Sequence, residues 1–200
     1  THNISESVAT DDIFIAGSDQ IWNPAWTEDA YFLNFVPDHN GKIAYAASIG
    51  ANEVSQDFLE HVVPYLRRFD FISVREESAK EILQPYLDQE IKVTLDPTLL
   101  LPREEWDKIA VQPMIPQPYI FVYLLGEKRA HRRLIKKFAR TLGLKIAFLP
   151  HVHFHFNPAD CFFADYNLYD VGPAEFVGLV KNAEMVITDS FHGCVFSIIY

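Results

Sequence analysis

MVITDSFHGCVFSIIY, residues 185–200, is the stretch that decides the fold. Its first residues, Met185 to Ile187, are apolar and include β-branched side chains, which predicts a short buried strand. From Cys194 to Tyr200, apolar residues continue at near-helical spacing without a breaker, which predicts a buried helix. The polar turn TDSFHG lies between the two. This order indicates an α/β protein in which a helix begins at the carboxyl end of a parallel strand.

The turn itself predicts an anion site with an acid/base group in it. Ser190 is suited to cap the helix, and Gly193 allows a ligand or another backbone to come close. A helix that begins there directs N–H groups and its positive dipole end towards a bound anion. His192 would lie in the first turn and could move a proton near neutral pH. The local pattern leaves an alternative open, in which Ser190 caps and His192 only hydrogen-bonds a loop carbonyl.

Polar residues also follow the first two predicted strands. DIFIAGS (12–18) is followed by a loop with Asp19 and Trp22, and KIAYAASIG (42–50) carries Ser48 at its turn. Ligand-binding loops of α/β sheets occur at these strand ends. The alternative for the first loop is a packed Trp22 with Asp19 capping a turn.

Arg75 closes the third strand, FISVR (71–75). A guanidinium at that position can bind a phosphate or a carboxylate through two parallel hydrogen bonds. The alternative is a salt bridge to Glu76, Glu77 or a neighbouring acid. A fourth strand, IKVTLDPTLLL (91–101), turns at Asp96, which we expect to be mainly structural.

The alternation of strands and helices predicts two Rossmann-like halves with parallel sheets, in a GT-B-like arrangement around a cleft. The Pro-rich stretch AVQPMIPQPY indicates a linker. We therefore expect a partial N-terminal domain at 1–110, a linker at 111–118 and a partial C-terminal domain at 119–200. Both halves are expected to be truncated, so that the chain is an internal fragment of a longer protein.

Composition excludes several classes of protein. The net charge of −10 argues against a nucleic-acid binder. No apolar run approaches the length needed to span a bilayer, and no signal peptide opens the chain. The two cysteines, Cys161 and Cys194, form neither a disulfide framework nor a metal motif. A cytoplasmic protein is expected.

Two stretches of the second half leave alternatives open. The helix from about Glu127 to Leu142 is expected to bury Leu134, Ile135, Phe138 and Leu142. Its basic face, within 128–140, is either simply solvated or contacts an anionic membrane at its inner face. HVHFHF places His151, His153 and His155 on one side of an extended segment, as a zinc site would require, but no further ligand completes the set and we expect no metal.

Six motifs occur in an order that resembles the polysaccharide pyruvyl transferase family: GSDQIW, AYAASIG, SVREES, LDPTLLL, VGPAEFVGLVKNAE and TDSFHG. The resemblance covers nearly the whole chain, except for the family's Gly-rich N-terminal opening and the segment that would follow Tyr200. It implies transfer of pyruvate from phosphoenolpyruvate to sugar hydroxyls of a cell-surface polysaccharide or its lipid-linked precursor. The product would be a pyruvate ketal, and no cofactor is implied.

The resemblance also assigns roles to the residues above. His192 is expected to be catalytic and to meet Arg75 at the same donor molecule. Donor binding is expected from Arg75, Ser190, Phe191 and Gly193, and acceptor or cleft contacts from Gly17, Ser18, Asp19, Trp22, Ser48 and Asp189. Two alternatives remain, a GT-B-type glycosyltransferase that uses a nucleotide sugar and a non-catalytic carbohydrate-binding relative.

Overall fold

The computed structural model describes residues 12–151 and 157–200. The chain divides into two compact units, one up to Leu100 and one from Leu101. Each unit contains a parallel four-stranded sheet, which confirms the predicted α/β class with two Rossmann-like halves. The limits expected for the domains and linker, and the GT-B-like arrangement, stay predictions.

The first unit has the strand order β1-β2-β3-β4, with one helix after β2 and one after β3. Its elements are β1 (Ile13–Ala16), β2 (Gly41–Ala47), α1 (Gln56–Leu66), β3 (Phe71–Val74), α2 (Glu77–Leu83) and β4 (Lys92–Val93). Both helices pack on one face of the sheet, where side chains such as Ile72, Val74 and Leu66 form the core. The opposite face leaves Ile13, Ile15 and Phe71 exposed.

The second unit has the strand order β7-β6-β5-β8. Its elements are α3 (Arg103–Ile109), β5 (Tyr119–Leu124), α4 (Arg129–Leu142), β6 (Lys145–Pro150), β7 (Tyr166–Asn167), α5 (Pro173–Lys181), β8 (Met185–Thr188) and α6 (Phe191–Ile199). The short β7 pairs with β6 and forms one edge of the sheet. Trp106 of α3 packs edge-to-face on Phe196 of α6, with 4.9 Å between the ring centroids.

Strand β5 is central because its continuous apolar sequence can be buried on both faces. Ile120 and Val122 pack towards α4, whereas Tyr119 and Phe121 pack towards α5 and α6. The chain passes from β5 to β6 and β7 on one side and then returns to β8 on the other. The strand order therefore reverses between β5 and β8, and ligands of open α/β sheets bind outside the carboxyl ends of strands at such a switch point.

Two predictions about elements are wrong. The fourth strand comprises only Lys92–Val93, since the backbone turns at Asp96 into a 3₁₀ helix, Pro97–Leu100. Proline cannot donate to a strand ladder, and the Asp96 carboxylate accepts from the Thr98 N–H instead.

The predicted buried stripe of α4 is also wrong at every position except Ile135. The helix buries Arg132, Ile135 and Ala139, and it exposes Leu134, Phe138 and Leu142. The physical reason is Arg132, which the sequence assigned to the solvated face. Its guanidinium donates to the Asp160 carboxylate and, at 2.7 Å, to the carbonyl oxygen of Gly126, so this arginine occupies the face that packs on the sheet.

Candidate functional site

The candidate site of the second unit lies at the switch point, at the carboxyl ends of β5 and β8. The exposed Asp189 carboxylate follows β8 and accepts from two backbone N–H groups of the loop after β5. Its Oδ1 lies 2.6 Å from the Leu125 nitrogen, and its Oδ2 lies 3.0 Å from the Gly126 nitrogen. Asp189 therefore ties together the two loops that border the switch point.

Helix α6 begins at this point with a fixed first turn. Ser190 is the N-cap residue, as predicted, and its Oγ accepts from the Gly193 N–H at 3.3 Å. The Ser190 N–H in turn donates to the Thr188 Oγ1 at 3.0 Å. These two bonds set where the helix starts and how its first-turn N–H groups and positive dipole end are directed.

Gly193 is required by the packing of α6 on β8. A Cβ atom at this position would lie 2.4 Å from the Thr188 Oγ1. The sequence left open whether Gly193 admits a ligand or another backbone, and the structure shows the close neighbour to be the preceding strand. The glycine thus allows the first turn of α6 to lie against the end of β8.

His192 and Phe191 occupy this first turn, where the sequence predicted them. Phe191 is exposed and His192 is half-buried. Their rings meet edge-to-face with centroids 5.2 Å apart. An imidazole at a helix N-terminus, with part of its surface accessible, can exchange protons with a ligand bound there.

The candidate site of the first unit is a buried carboxylate that holds an arginine. Asp96 is buried, and both of its carboxylate oxygens accept hydrogen bonds from neighbouring side chains or backbone. Its Oδ2 lies 3.0 Å from Arg75 Nη1 and 2.8 Å from Ser18 Oγ. Its Oδ1 lies 3.0 Å from the Thr98 nitrogen and 2.6 Å from the Thr98 Oγ1.

These donors determine the ionisation of Asp96. Burial alone would raise its pKa, but the hydrogen bonds from Thr98, Ser18 and Arg75 outweigh burial and lower the pKa to about 2. Asp96 is therefore a carboxylate at neutral pH. It fixes one side of the Arg75 guanidinium at the carboxyl end of β3.

Asp19 contacts the same guanidinium from the loop after β1. Its Oδ1 lies 3.5 Å from Arg75 Nη2, at the limit of a hydrogen bond, and its side chain is 65% exposed. A long contact to an exposed carboxylate is easily exchanged for another anion. Asp19 is thus placed where it can give way when an anionic ligand reaches Arg75.

Glu76 organises the loop after β2, a role that the sequence did not reveal. Its Oε1 accepts from Ser48 Oγ at 3.0 Å, from the Ile49 N–H at 2.9 Å and from the Gly50 N–H at 3.1 Å. Of the acids named as alternatives for Arg75, Glu76 is therefore engaged with this loop, and Asp96 is the neighbouring acid that pairs with the arginine. The Ser48 hydroxyl is committed to that carboxylate.

Two further residues of the loop after β1 shape the backbone. A Cβ atom at Gly17, where φ is +124°, would lie 2.1 Å from the Tyr45 carbonyl oxygen, so only glycine fits. Trp22 is 1% exposed and stacks on Phe32 with 5.5 Å between centroids. This is the packed alternative that the sequence left open, and we leave Trp22 out of the proposed acceptor contacts.

The sequence indicated a structural role for Asp96, but it did not reveal that Asp96 holds Arg75, nor the roles of Thr98 and Glu76. The Asp-Pro-Thr pattern was a usable signal, because an aspartate two residues before a threonine commonly accepts from that residue's N–H. Of the three histidines considered for zinc, His153 and His155 lie outside the described residues. Within the described ranges, no cluster of three or more His, Cys, Asp or Glu side chains could hold a metal ion.

Comparison with known proteins identifies the family of the chain. No curated protein and no solved structure gives a significant match. The sequence pattern described as polysaccharide pyruvyl transferase matches residues 3–200. This match spans both units and both candidate sites. The chain therefore belongs to the polysaccharide pyruvyl transferase family.

Proposed function

We propose that this chain transfers pyruvate from phosphoenolpyruvate to two hydroxyls of a saccharide, either in a cell-surface polysaccharide or in its lipid-linked precursor. Family membership suggests polysaccharide pyruvyl transfer. The observation that carries the finer proposal is the first turn of α6, where His192 stands at a capped helix N-terminus beside the switch point of the sheet. A donor anion and a proton-transfer group are needed at one place in this reaction, and this turn supplies binding for the first and the chemistry of the second.

The donor carries a phosphate and a carboxylate, so its binding requires cationic and N–H donors. We assign donor binding to Arg75 and to the first turn of α6, with Ser190, Phe191 and Gly193. Asp96 keeps the guanidinium oriented, and Asp19 is the contact that an incoming anion replaces. Oriented guanidinium groups bind carboxylates and phosphates with two parallel hydrogen bonds.

Ketal formation determines what His192 has to do. The methylene carbon of the enol must gain a proton, both sugar oxygens must form bonds to the central carbon, and the bond from that carbon to the phosphate oxygen must break. The two hydroxyl protons are conserved, since one ends on the methyl group and one on the released phosphate. His192 is the proposed acid/base group for these transfers.

Acceptor contacts are proposed for the polar groups that remain accessible in the two sites. The carboxylates of Asp19 and Asp189 are exposed and can accept from sugar hydroxyls. The hydroxyls of Ser18 and Ser48 donate to the carboxylates of Asp96 and Glu76, so these residues and Gly17 are assigned to shaping the loops.

The test is an activity assay that follows phosphate release from phosphoenolpyruvate in the presence of candidate glycans. His192→Ala and His192→Asn should both lower kcat at least 100-fold, in line with the usual contribution of a general acid or base. Arg75→Lys keeps the charge but loses the guanidinium that can form two parallel hydrogen bonds. It should mainly raise the donor KM by tenfold or more. Lysine is chosen because alanine would leave the buried Asp96 without its cation.

His131→Asn is the matched control, since it removes an exposed histidine of α4 in the same unit. It should leave both kcat and the donor KM unchanged. A His192→Ala variant that releases phosphate at the wild-type rate would contradict the catalytic assignment. An unchanged donor KM in Arg75→Lys would contradict the assignment of that arginine to the donor.

A further inference from the structure

Helix α4 carries a concentration of positive charge that the proposed reaction does not use. Its sequence, RAHRRLIKKFARTL, contains six Lys or Arg residues and no acid, although the whole chain has a net charge of −10. One of the six, Arg132, is buried in a pair with Asp160. The other five form what we call the basic surface: Arg129, Arg133, Lys136, Lys137 and Arg140.

Most of this charge is unbalanced. Lys136 donates to the carbonyl oxygen of Phe162 at 2.5 Å. The side chains of the other four are exposed, and among the described residues no carboxylate lies within ion-pair distance of them. In a protein that is acidic overall, such a cluster does not improve solubility. We therefore infer that the basic surface binds an anionic partner.

Exposed apolar side chains border the basic surface. Phe162 is 92% exposed, and the Lys136 bond to its carbonyl oxygen holds it next to the cations. Leu134 is 67% exposed and Phe138 is 41% exposed. These two residues lie about one turn apart on the flank of α4. A shallow groove of about 490 Å³, lined by Arg129, Arg133 and Phe162 among others, lies at the same place.

We propose that the basic surface docks on an anionic phospholipid bilayer. The cations would contact lipid phosphates, while Phe162 and Leu134 would enter the boundary between headgroups and acyl chains. Cations flanked by exposed aromatic and aliphatic residues are typical of proteins that lie on such membranes. A soluble acidic polysaccharide would match the charge, but it would offer no apolar layer for Phe162. The docking does not depend on the proposed reaction, although it would bring the chain to a lipid-linked acceptor.

The test is cosedimentation of the protein with vesicles of phosphatidylcholine alone or with 30% phosphatidylglycerol (roughly the anionic fraction at which basic clusters bind). Wild type should bind the anionic vesicles, and added salt should weaken this binding. The triple variant Arg133→Gln, Lys137→Gln, Arg140→Gln should bind roughly 100-fold more weakly, since each cation near an anionic surface contributes roughly a fivefold factor.

The matched control removes three exposed cations elsewhere, with Arg67→Gln, Lys92→Gln and Lys108→Gln, and changes the net charge equally. It should bind as wild type does. Phe162→Trp should show a blue-shifted emission with anionic vesicles only, and Phe162→Asn, which tolerates the φ of +54° at this residue, should bind more weakly.

Three results would overturn the proposal. One is an absence of binding to anionic vesicles at low salt. Another is an equal loss of binding in the control triple variant, which would show an effect of overall charge alone. The third is binding to a soluble acidic polysaccharide with no binding to vesicles. None of these measurements involves phosphoenolpyruvate. A negative result would therefore not bear on the proposed reaction, which the phosphate-release assay tests separately.

Discussion

At the scale of single residues, the decisive feature is that a buried carboxylate holds Arg75, the arginine proposed to bind the donor. Asp96 is covered by protein and keeps its charge because four donors from Ser18, Arg75 and Thr98 reach its two oxygens. Removing a buried charge from one partner commonly costs a few kcal/mol, so Asp96 and Arg75 depend on each other for stability. Asp96, which appears structural in the sequence, thus controls the geometry of the arginine that we propose binds the donor.

The pKa of Asp96 makes this testable by acid unfolding. Its folded pKa of about 2 lies below the ordinary value of 3.8. The unfolded chain therefore binds the proton first, so the contribution of Asp96 to the free energy of unfolding is fully present above about pH 4 and disappears as the pH falls towards 2. A shift of this size corresponds to about 2 kcal/mol. The free energy of unfolding of wild type and of Asp96→Asn should be measured with denaturant between pH 5 and 2. It should fall less steeply with decreasing pH in the variant than in wild type.

Asp88→Asn is the control for removal of a carboxylate, because Asp88 is exposed in the same unit. It should retain the wild-type dependence of unfolding free energy on pH. If Asp96→Asn lost stability with falling pH as steeply as wild type, the hydrogen bonds at Asp96 would not be stabilising its charged form.

The sequence predicted the capping role of Ser190 but not the burial of Arg132. The reason is the distance along the sequence between the interacting residues. A cap depends on residues three positions apart, which a sequence displays directly. Arg132 is buried because Asp160, 28 residues away, supplies a carboxylate. Likewise, the sequence predicts an anion-binding role for Arg75, whereas its partners Asp96 and Asp19 follow only from which strands are neighbours.

At the scale of elements, the junction of β8 and α6 determines the candidate active site. The strand and the helix were predicted from apolar patterning, which each segment carries in its own local sequence. The strand was predicted to be buried, but β8 is only half-buried because it lies at the edge of the sheet. Their close packing rests on the missing side chain of Gly193, whose position is pressed against Thr188. The site is therefore sensitive to a single methyl group placed at this junction.

Gly193→Ala should destabilise the protein and displace His192. The added Cβ would lie 2.4 Å from Thr188 Oγ1, so either the helix or the threonine must move, at a cost of about 1–3 kcal/mol. Thr188→Ala alone removes the oxygen that accepts from the Ser190 N–H and should cost about 1 kcal/mol. Combined, the two changes should cost clearly less than their sum, because the second relieves the clash made by the first.

Denaturant unfolding of the four proteins in this cycle measures the coupling, and kcat of each reports on His192. We expect Gly193→Ala to lower kcat and the double variant to recover part of it. Strict additivity of the two changes in unfolding free energy would show that α6 does not rest on Thr188 as described.

At the scale of the whole molecule, the order of the strands in the sheet of the second unit determines where the switch point lies. The sequence predicted parallel sheets from alternating strands and helices, which is a local pattern repeated along the chain. It could not reveal that β8 returns to the far side of β5, because any apolar strand could occupy that edge. That return creates the switch point, and it is why the loops with Asp189 and Gly126 meet.

Ligand-induced stability separates the proposed reaction from a glycosyltransferase that uses a nucleotide sugar. Phosphoenolpyruvate at 100 times its Kd should add about 2.7 kcal/mol to the unfolding free energy of the folded part of the chain that binds it. For a chain of this size the melting temperature should rise by about 5–10 °C. Inorganic phosphate and pyruvate, each carrying one of the two anionic groups, should stabilise less, and nucleoside diphosphates should not stabilise at all. Arg75→Lys should reduce the shift, whereas His131→Asn should leave it intact.

Because the chain folds as two compact units, a single melting temperature can conceal which of them holds the ligand. Amide hydrogen exchange with and without phosphoenolpyruvate resolves this question. We expect slower exchange around Arg75 in the first unit and in the first turn of α6 in the second, since both are proposed to bind the donor. An absence of protection at either place would contradict the donor-binding role proposed for that place. Stabilisation by a nucleoside diphosphate in place of phosphoenolpyruvate would favour the glycosyltransferase and remove the reason for assigning His192 to ketal chemistry.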